Sequence, residues 1–114
     1  PVRNALAELQ KEVTTFSGKD LAGLSKSERE GLNKLLMKTE QQLTSADGLP
    51  RRPWYKHQIY APGFYTGYGV KTLPGVREAI EQRNWEEAQS QIRKLAGTLQ
   101  GMAGHLKKMN AIAP

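Results

Sequence analysis

The chain has 114 residues, 38% of them hydrophobic, no cysteine, and a formal charge of +6 from 17 basic and 11 acidic side chains. That length is one domain. The absence of cysteine excludes disulfides, thiolate metal sites and cysteine nucleophiles, and no apolar run approaches the roughly 20 residues of a membrane-spanning helix. The basic balance admits nucleic acid, an anionic surface or an acidic ligand as partner, beside the plainer reading of a solvated basic face. The modest apolar share implies a thin core, or apolar surface kept for something outside the chain. The sequence starts at Pro1 with helix-forming residues and no basic-then-apolar leader, so a piece of a longer protein is expected.

Apolar residues at Val2, Leu6, Leu9, Val13 and Phe16 recur at helical spacing and predict a first helix over 2–16 with a single apolar stripe. Ser17-Gly18 closes it, with Gly18 as a left-handed cap. A second helix opens at Ser25, where Ser25-Lys-Ser-Glu28 has the form of a capping box. Leu32, Leu35, Leu36, Thr39 and Leu43 carry it to about Thr44, and Asp47-Gly48 and Pro50 end it.

Residues 49–71 then read as one long connection, broken by Pro50, Pro53, Pro62, Gly63, Gly67 and Gly69. The stretch IYAPGFYTGYGVKTLPG, residues 59–75, holds four aromatics and no acid. Loops this long inside compact domains are uncommon and are often functional. Trp54-Tyr55 and Ile59-Tyr60 are expected to be short extended anchors packed on the helices. His57 is expected to order the loop through a backbone bond.

A short helix follows, with Thr72 as its cap, Pro74 in its first turn and Val76, Ala79 and Ile80 on its apolar face, ending near Arg83. The last helix opens at Asn84, where Asn84-Trp-Glu-Glu87 resembles a capping box. Trp85, Ala88, Ile92, Leu95, Leu99, Met102, Leu106 and Met109 then alternate steps of 3 and 4, a heptad-like seam. Ala96, Gly97, Gly101, Ala103 and Gly104 flank it and would let another helix approach closely, within the chain or from a second one. The expected class is all-α: a bundle of about four helices around a long aromatic Gly/Pro-rich loop, with residues 1–114 as one domain.

Little in the inventory carries chemistry. His57 and His105 are the only histidines, with no HExxH. The carboxylate pairs Glu28/Glu30 and Glu86-Glu87 stand at helix starts, where they serve the dipole. Gly67-Tyr-Gly69 alone does not make a phosphate loop. No catalytic or metal residue is assigned and no cofactor is expected in this chain. Arg51, Arg52, Lys56 and Lys71 interleave with aromatics, as in single-strand binders, so a basic helical nucleic-acid-binding module is the rival reading. No motif of that class accompanies it.

Residues 49–75, LPRRPWYKHQIYAPGFYTGYGVKTLPG, resemble the C-terminal helical domain of the transferrin receptor and glutamate carboxypeptidase II family of zinc exopeptidases. The family pattern LPxRPxYxHxIYAP is met by Leu49, Pro50, Arg52, Pro53, Tyr55, His57, Ile59, Tyr60, Ala61 and Pro62, with Pro74-Gly75 at the expected distance. Trp85 and Gln91-Ile92-Arg93 match the last helix less strictly, and the first two helices agree in order and length.

The resemblance implies a dimerisation domain whose parent carries zinc in a separate protease domain. It implies the chain itself as partner in a homodimer, the parent's protease domain as a second partner, and peptide substrate only through the parent. Family members are often secreted or membrane-anchored ectodomains. The seam residues Trp85, Ile92, Leu95, Leu99, Met102 and Leu106 are the candidates for the dimer interface. The family's aromatic loop reaches the substrate pocket through a Lys-Tyr pair, which falls on Gly67 and Tyr68 here, with Tyr65 beside them. Tyr68 is kept. Gly67 removes the cation that the implied preference for a C-terminal glutamate relies on, and Lys71 could replace it only if the loop bent back.

Overall fold

The computed structural model describes residues 2–64 and 69–112. Among the described residues there are four helices: α1, Val2–Ser17; α2, Lys26–Met37; α3, Pro74–Glu81; and α4, Trp85–Ile112. A 3-10 turn, Glu40–Leu43, follows α2, and a two-stranded antiparallel hairpin, β1 (Tyr60–Pro62) and β2 (Val70–Thr72), precedes α3. The all-α class holds, with a hairpin too short to change it. The molecule is elongated, 51 × 26 × 21 Å.

α4 is the spine. α1 lies along it in the same direction: Ala5 packs with Leu95 and Leu99 near one end, and Phe16 packs beside Leu106 and Met109 near the other. α2 adds Leu32 to that second cluster, and α3 covers the start of α4. Met109 is 2% exposed, so truncating it to Ala would cost about 2–5 kcal/mol. The seam of α4 is thus largely the core of its own chain. Leu95, Leu99 and Leu106 are buried there, together with Ala88 and Met109, while Trp85 is 60% exposed. Leu95, Leu99 and Leu106 thus pack inside the chain's own core.

The caps follow the sequence closely in two places. Ser25 Oγ accepts from the Glu28 amide at 3.1 Å, and the Glu28 carboxylate accepts from the Ser25 amide at 2.9 Å. Asn84 Oδ1 accepts from the Glu87 amide at 3.1 Å. Elsewhere the structure corrects the reading. α2 stops at Met37 rather than Thr44: the Lys38 amide closes on the Leu35 carbonyl at 3.0 Å, and that carbonyl also accepts from the Thr39 hydroxyl at 3.2 Å and from Nε2 of His105, on α4, at 2.8 Å. α3 is capped by Leu73, in the left-handed region at φ 49°, and not by Thr72. Gly18 ends α1 by donating to the Thr14 carbonyl, without a left-handed backbone.

Left-handed geometry appears instead at Arg83, φ 56°. The Asn84 amide donates to the Ala79 carbonyl and the Arg83 amide to the Ile80 carbonyl. That is a Schellman closure with Arg in the place usually taken by Gly. Gly48 is the position where glycine is required: its φ is 72°, and a Cβ there would fall 2.6 Å from the backbone Cα of Pro53. Lys94 of α4 reaches back to the Gly48 carbonyl at 2.8 Å and ties this turn to the spine.

Candidate functional site

The conspicuous segment, in its described residues 49–64 and 69–75, is not an irregular loop but a braced platform. Leu49-Pro-Arg-Arg52 makes a tight turn in which the Arg52 amide donates to the Leu49 carbonyl at 2.9 Å. Pro50 presets the second position, and Arg51, at φ 63°, supplies the left-handed third position. The turn sends Leu49 and Arg52 inward; they are 2% and 4% exposed.

Arg52 then meets Glu78, on the buried face of α3, in an ion pair in which both side chains are nearly solvent-free. Arg52 Nη1 also donates to the Pro62 carbonyl at 2.6 Å, and the second Glu78 oxygen accepts from the Phe64 amide at 2.8 Å. Deleting one partner of such a pair costs about 3–5 kcal/mol, because the other charge is left buried. Glu78 was not singled out from the sequence. The signal available was an acid on the apolar face of a short helix, between Val76 and Ala79.

His57 orders the other side, as expected. Its Nδ1 accepts from the Ile59 amide at 3.2 Å, with the Tyr60 amide at 3.4 Å. Nε2 therefore carries the proton and donates to Glu40 at 2.8 Å. The imidazole lies 4.1 Å, centroid to centroid, from the Tyr60 ring. Tyr60 itself is exposed, so it is held by His57 and Glu40 rather than anchored in the core. Trp54, 67% exposed, and Tyr55 are not core residues either. They line a groove of about 270 Å³ with Arg52, Pro62, Gly63 and Phe64.

The basic residues of this platform have partners within the chain. Arg51 pairs with Glu87 at 2.9 Å, Lys71 with both oxygens of Glu81 at 3.0 Å, and Lys56 donates to the Ala46 carbonyl at 2.6 Å. With Arg52 on Glu78, the cations that a nucleic-acid reading would use are already neutralised or hydrogen-bonded, and that reading gains no support. Lys71 lies on β2 and is paired with Glu81 of α3.

Tyr65, Gly67 and Tyr68, the pocket candidates, lie outside the described residues; the hairpin stem that carries them is described up to Phe64 and from Gly69. Of the interface candidates, Ile92 and Met102 are half-buried and Trp85 exposed. Apolar residues of the two helical stripes also face out: Leu6 is 51% and Val13 44% exposed on α1, and Leu36 43% on α2, where Met37, outside the stripe, is 82% exposed. Among the described residues, no helix is long and apolar enough to cross a membrane.

A family model, the transferrin receptor-like dimerisation domain, matches residues 1–107. Among curated proteins, a "Probable glutamate carboxypeptidase" of Arabidopsis thaliana is 46% identical over 72 residues, 57% of this chain and 11% of its own length. A second protein of that name, from Arthroderma benhamiae, is 34% identical over 90% of this chain and 13% of its own length. An "Inactive zinc metalloprotease" of Schizosaccharomyces pombe is 32% identical over 60% of the chain and 9% of its own. The match thus covers only 9–13% of the length of these relatives. A family match over nearly the whole chain, on a helical scaffold that keeps the LPxRPxYxHxIYAP platform, makes this chain a member of the transferrin receptor-like dimerisation domain family.

Proposed function

We propose that this chain is the non-catalytic homodimerisation module of a longer zinc-exopeptidase-like protein, and that its aromatic hairpin lends Tyr68 and its neighbours to that protein's substrate pocket. The observation that carries the first half is the family match joined to the exposed apolar surface of α1. Leu6 and Val13 are seven residues apart, two turns along one face, and each leaves roughly half of its side chain in water. A partner covering that face recovers about 25 cal/mol for each Å² of apolar surface removed from water. Leu36, Met37 and Trp85 are further exposed apolar side chains, on α2 and at the start of α4. The half-buried seam residues Ile92 and Met102 join the interface at its edge.

The second half rests on the platform. A rigid, ion-paired stem carrying an aromatic Gly-rich tip is a binding element on a fixed scaffold. Zinc and its ligands belong to the parent's protease domain. Gly67 leaves the tip without a cation, so the parent prefers a C-terminal side chain other than glutamate, or acts from the N-terminus. Leu6→Ser with Val13→Ser tests the dimer: both side chains are exposed, so the fold survives, and the mass in solution should drop to that of a monomer. A double variant that remains as associated as the wild type would move the interface elsewhere.

A further inference from the structure

The last turn of α2 turns an apolar side chain away from the core. Leu32 is buried, and Leu35 packs beside it with Leu106 and Met109 of α4. Met37 follows Leu35 by two residues and so points to the other side of the helix. It is 82% exposed, the highest value among the large apolar side chains of the described residues. Lys34, one turn earlier, Lys38, and Gln41, one turn later, surround Met37 and line with it an open hollow of about 360 Å³.

The charge of this hollow is unmatched. Among the described residues neither Lys34 nor Lys38 has an ion pair or side-chain hydrogen bond, although Glu30 lies one turn before Lys34. Glu40, the next carboxylate along the chain, is bonded by Nε2 of His57 at 2.8 Å and by the Tyr60 hydroxyl at 3.4 Å, and does not line the hollow. On the platform, by contrast, Arg51, Arg52 and Lys71 are matched by Glu87, Glu78 and Glu81. Both lysines suit the negative end of the α2 dipole. That accounts for their charge, but not for a methionine left in water between them.

We propose that this face of α2 is a docking surface for an acidic helical segment of another protein. Lys34 and Lys38 are one helical turn apart, about 6 Å. A partner helix with carboxylates at the same spacing meets both cations, and an apolar side chain on that face covers Met37, whose unbranched thioether adapts to it. The hollow is small and open, so the contact is weak and transient.

The probe is an alanine-based helical peptide carrying Glu-Ala-Ala-Leu-Glu, titrated into the chain at low and high salt and followed by NMR at the Met37 methyl and the backbone amides. Its control carries Gln in place of both Glu. The proposal predicts shifts confined to 34–41 and a Kd that rises with salt. It also predicts a Kd about ten-fold higher for the control, and for Lys34→Gln with Lys38→Gln, since two exposed ion pairs are lost in each case. Met37→Ser should raise Kd as well. All three side chains are exposed, so these variants fold. If the lysines serve only the dipole, the paired variant loses stability and peptide binding does not change. That result, shifts centred elsewhere, or no shift at millimolar peptide overturns the proposal. So does a lowered mass of the chain in Met37→Ser, which would make the occupant a second copy. Binding to phosphatidylserine vesicles without binding to the peptide would make it a lipid surface, and overturns the proposal equally.

Discussion

Gly75, at the start of α3, sits against the side chain of Gln91 on α4, so that a Cβ on Gly75 would overlap the Gln91 amide group. Gly75 is buried there, and the contact sets how closely α3, and therefore Glu78, lies on the spine. Gly75→Ala should cost about 1 kcal/mol or more, since Gln91 must move out of a half-buried place. In a Gln91→Ala background the obstruction is gone, and Gly75→Ala should become neutral or stabilising, as helix propensity favours Ala over Gly by about 1 kcal/mol. A double-mutant cycle in urea measures the coupling. Additive effects would contradict a direct contact.

Arg83 offers the reverse case. It holds a left-handed conformation between α3 and α4 that glycine adopts without strain. Arg83→Gly should stabilise by a few tenths to about 1 kcal/mol, after allowing for the freer unfolded chain. Thermal unfolding checks the sign, and a lowered midpoint would mean that Arg83 makes a contribution the turn geometry does not account for.

Gly48 tolerates no such freedom. Gly48→Ala places a Cβ into the Pro53 backbone at a positive φ, and should destabilise by more than about 1 kcal/mol. It should also loosen Lys94, which bonds the Gly48 carbonyl. Proteolysis within 48–58 should rise in this variant, and unchanged resistance would contradict the turn's role.

The starts of α2 and α4 were legible because their signals are local: Ser25 and Glu28, or Asn84 and Glu87, lie three residues apart. The end of α2 was not: one of the groups on the Leu35 carbonyl, His105, is 70 residues away. Leu43 kept the helical spacing but belongs to the 3-10 turn. The hairpin escaped notice because three-residue strands show no alternation to read. Trp54 and Tyr55 were placed in the core on aromatic character, although they follow Pro53 in a turn that faces out. The α4 seam was seen correctly as a packing surface; its period could not say that α1 of the same chain fills much of it. Glu78 needed the fold, since its partner Arg52 is on another element.

Stability should also vary with pH through the surface tie between α1 and α4. A hydrogen bond and charge from Lys107 hold the Glu8 carboxyl below its ordinary 4.5, and Glu8 raises Lys107 above 10.5 by the same two causes. The lowered folded value of Glu8 means that its contribution is complete above about pH 4.5 and is lost as the pH falls through that lower value. The raised value of Lys107 means that its contribution is complete below 10.5 and is lost as the pH rises through the folded value. Both groups are exposed, so the effect is small and salt-sensitive. Urea unfolding of the wild type and Glu8→Gln at pH 7 and pH 3 should show the gap between them closing at the lower pH. An equal gap at both would contradict the tie.

The central claim is self-association through an apolar helical surface, and the mass of this chain by light scattering tests it most directly, across concentration and at low and high salt. The account predicts a mass rising from 12.7 kDa to twice that value and holding at high salt, because burial of Leu6, Val13 and their neighbours does not depend on charge. A mass that stays at 12.7 kDa at every concentration and in both salts would contradict it.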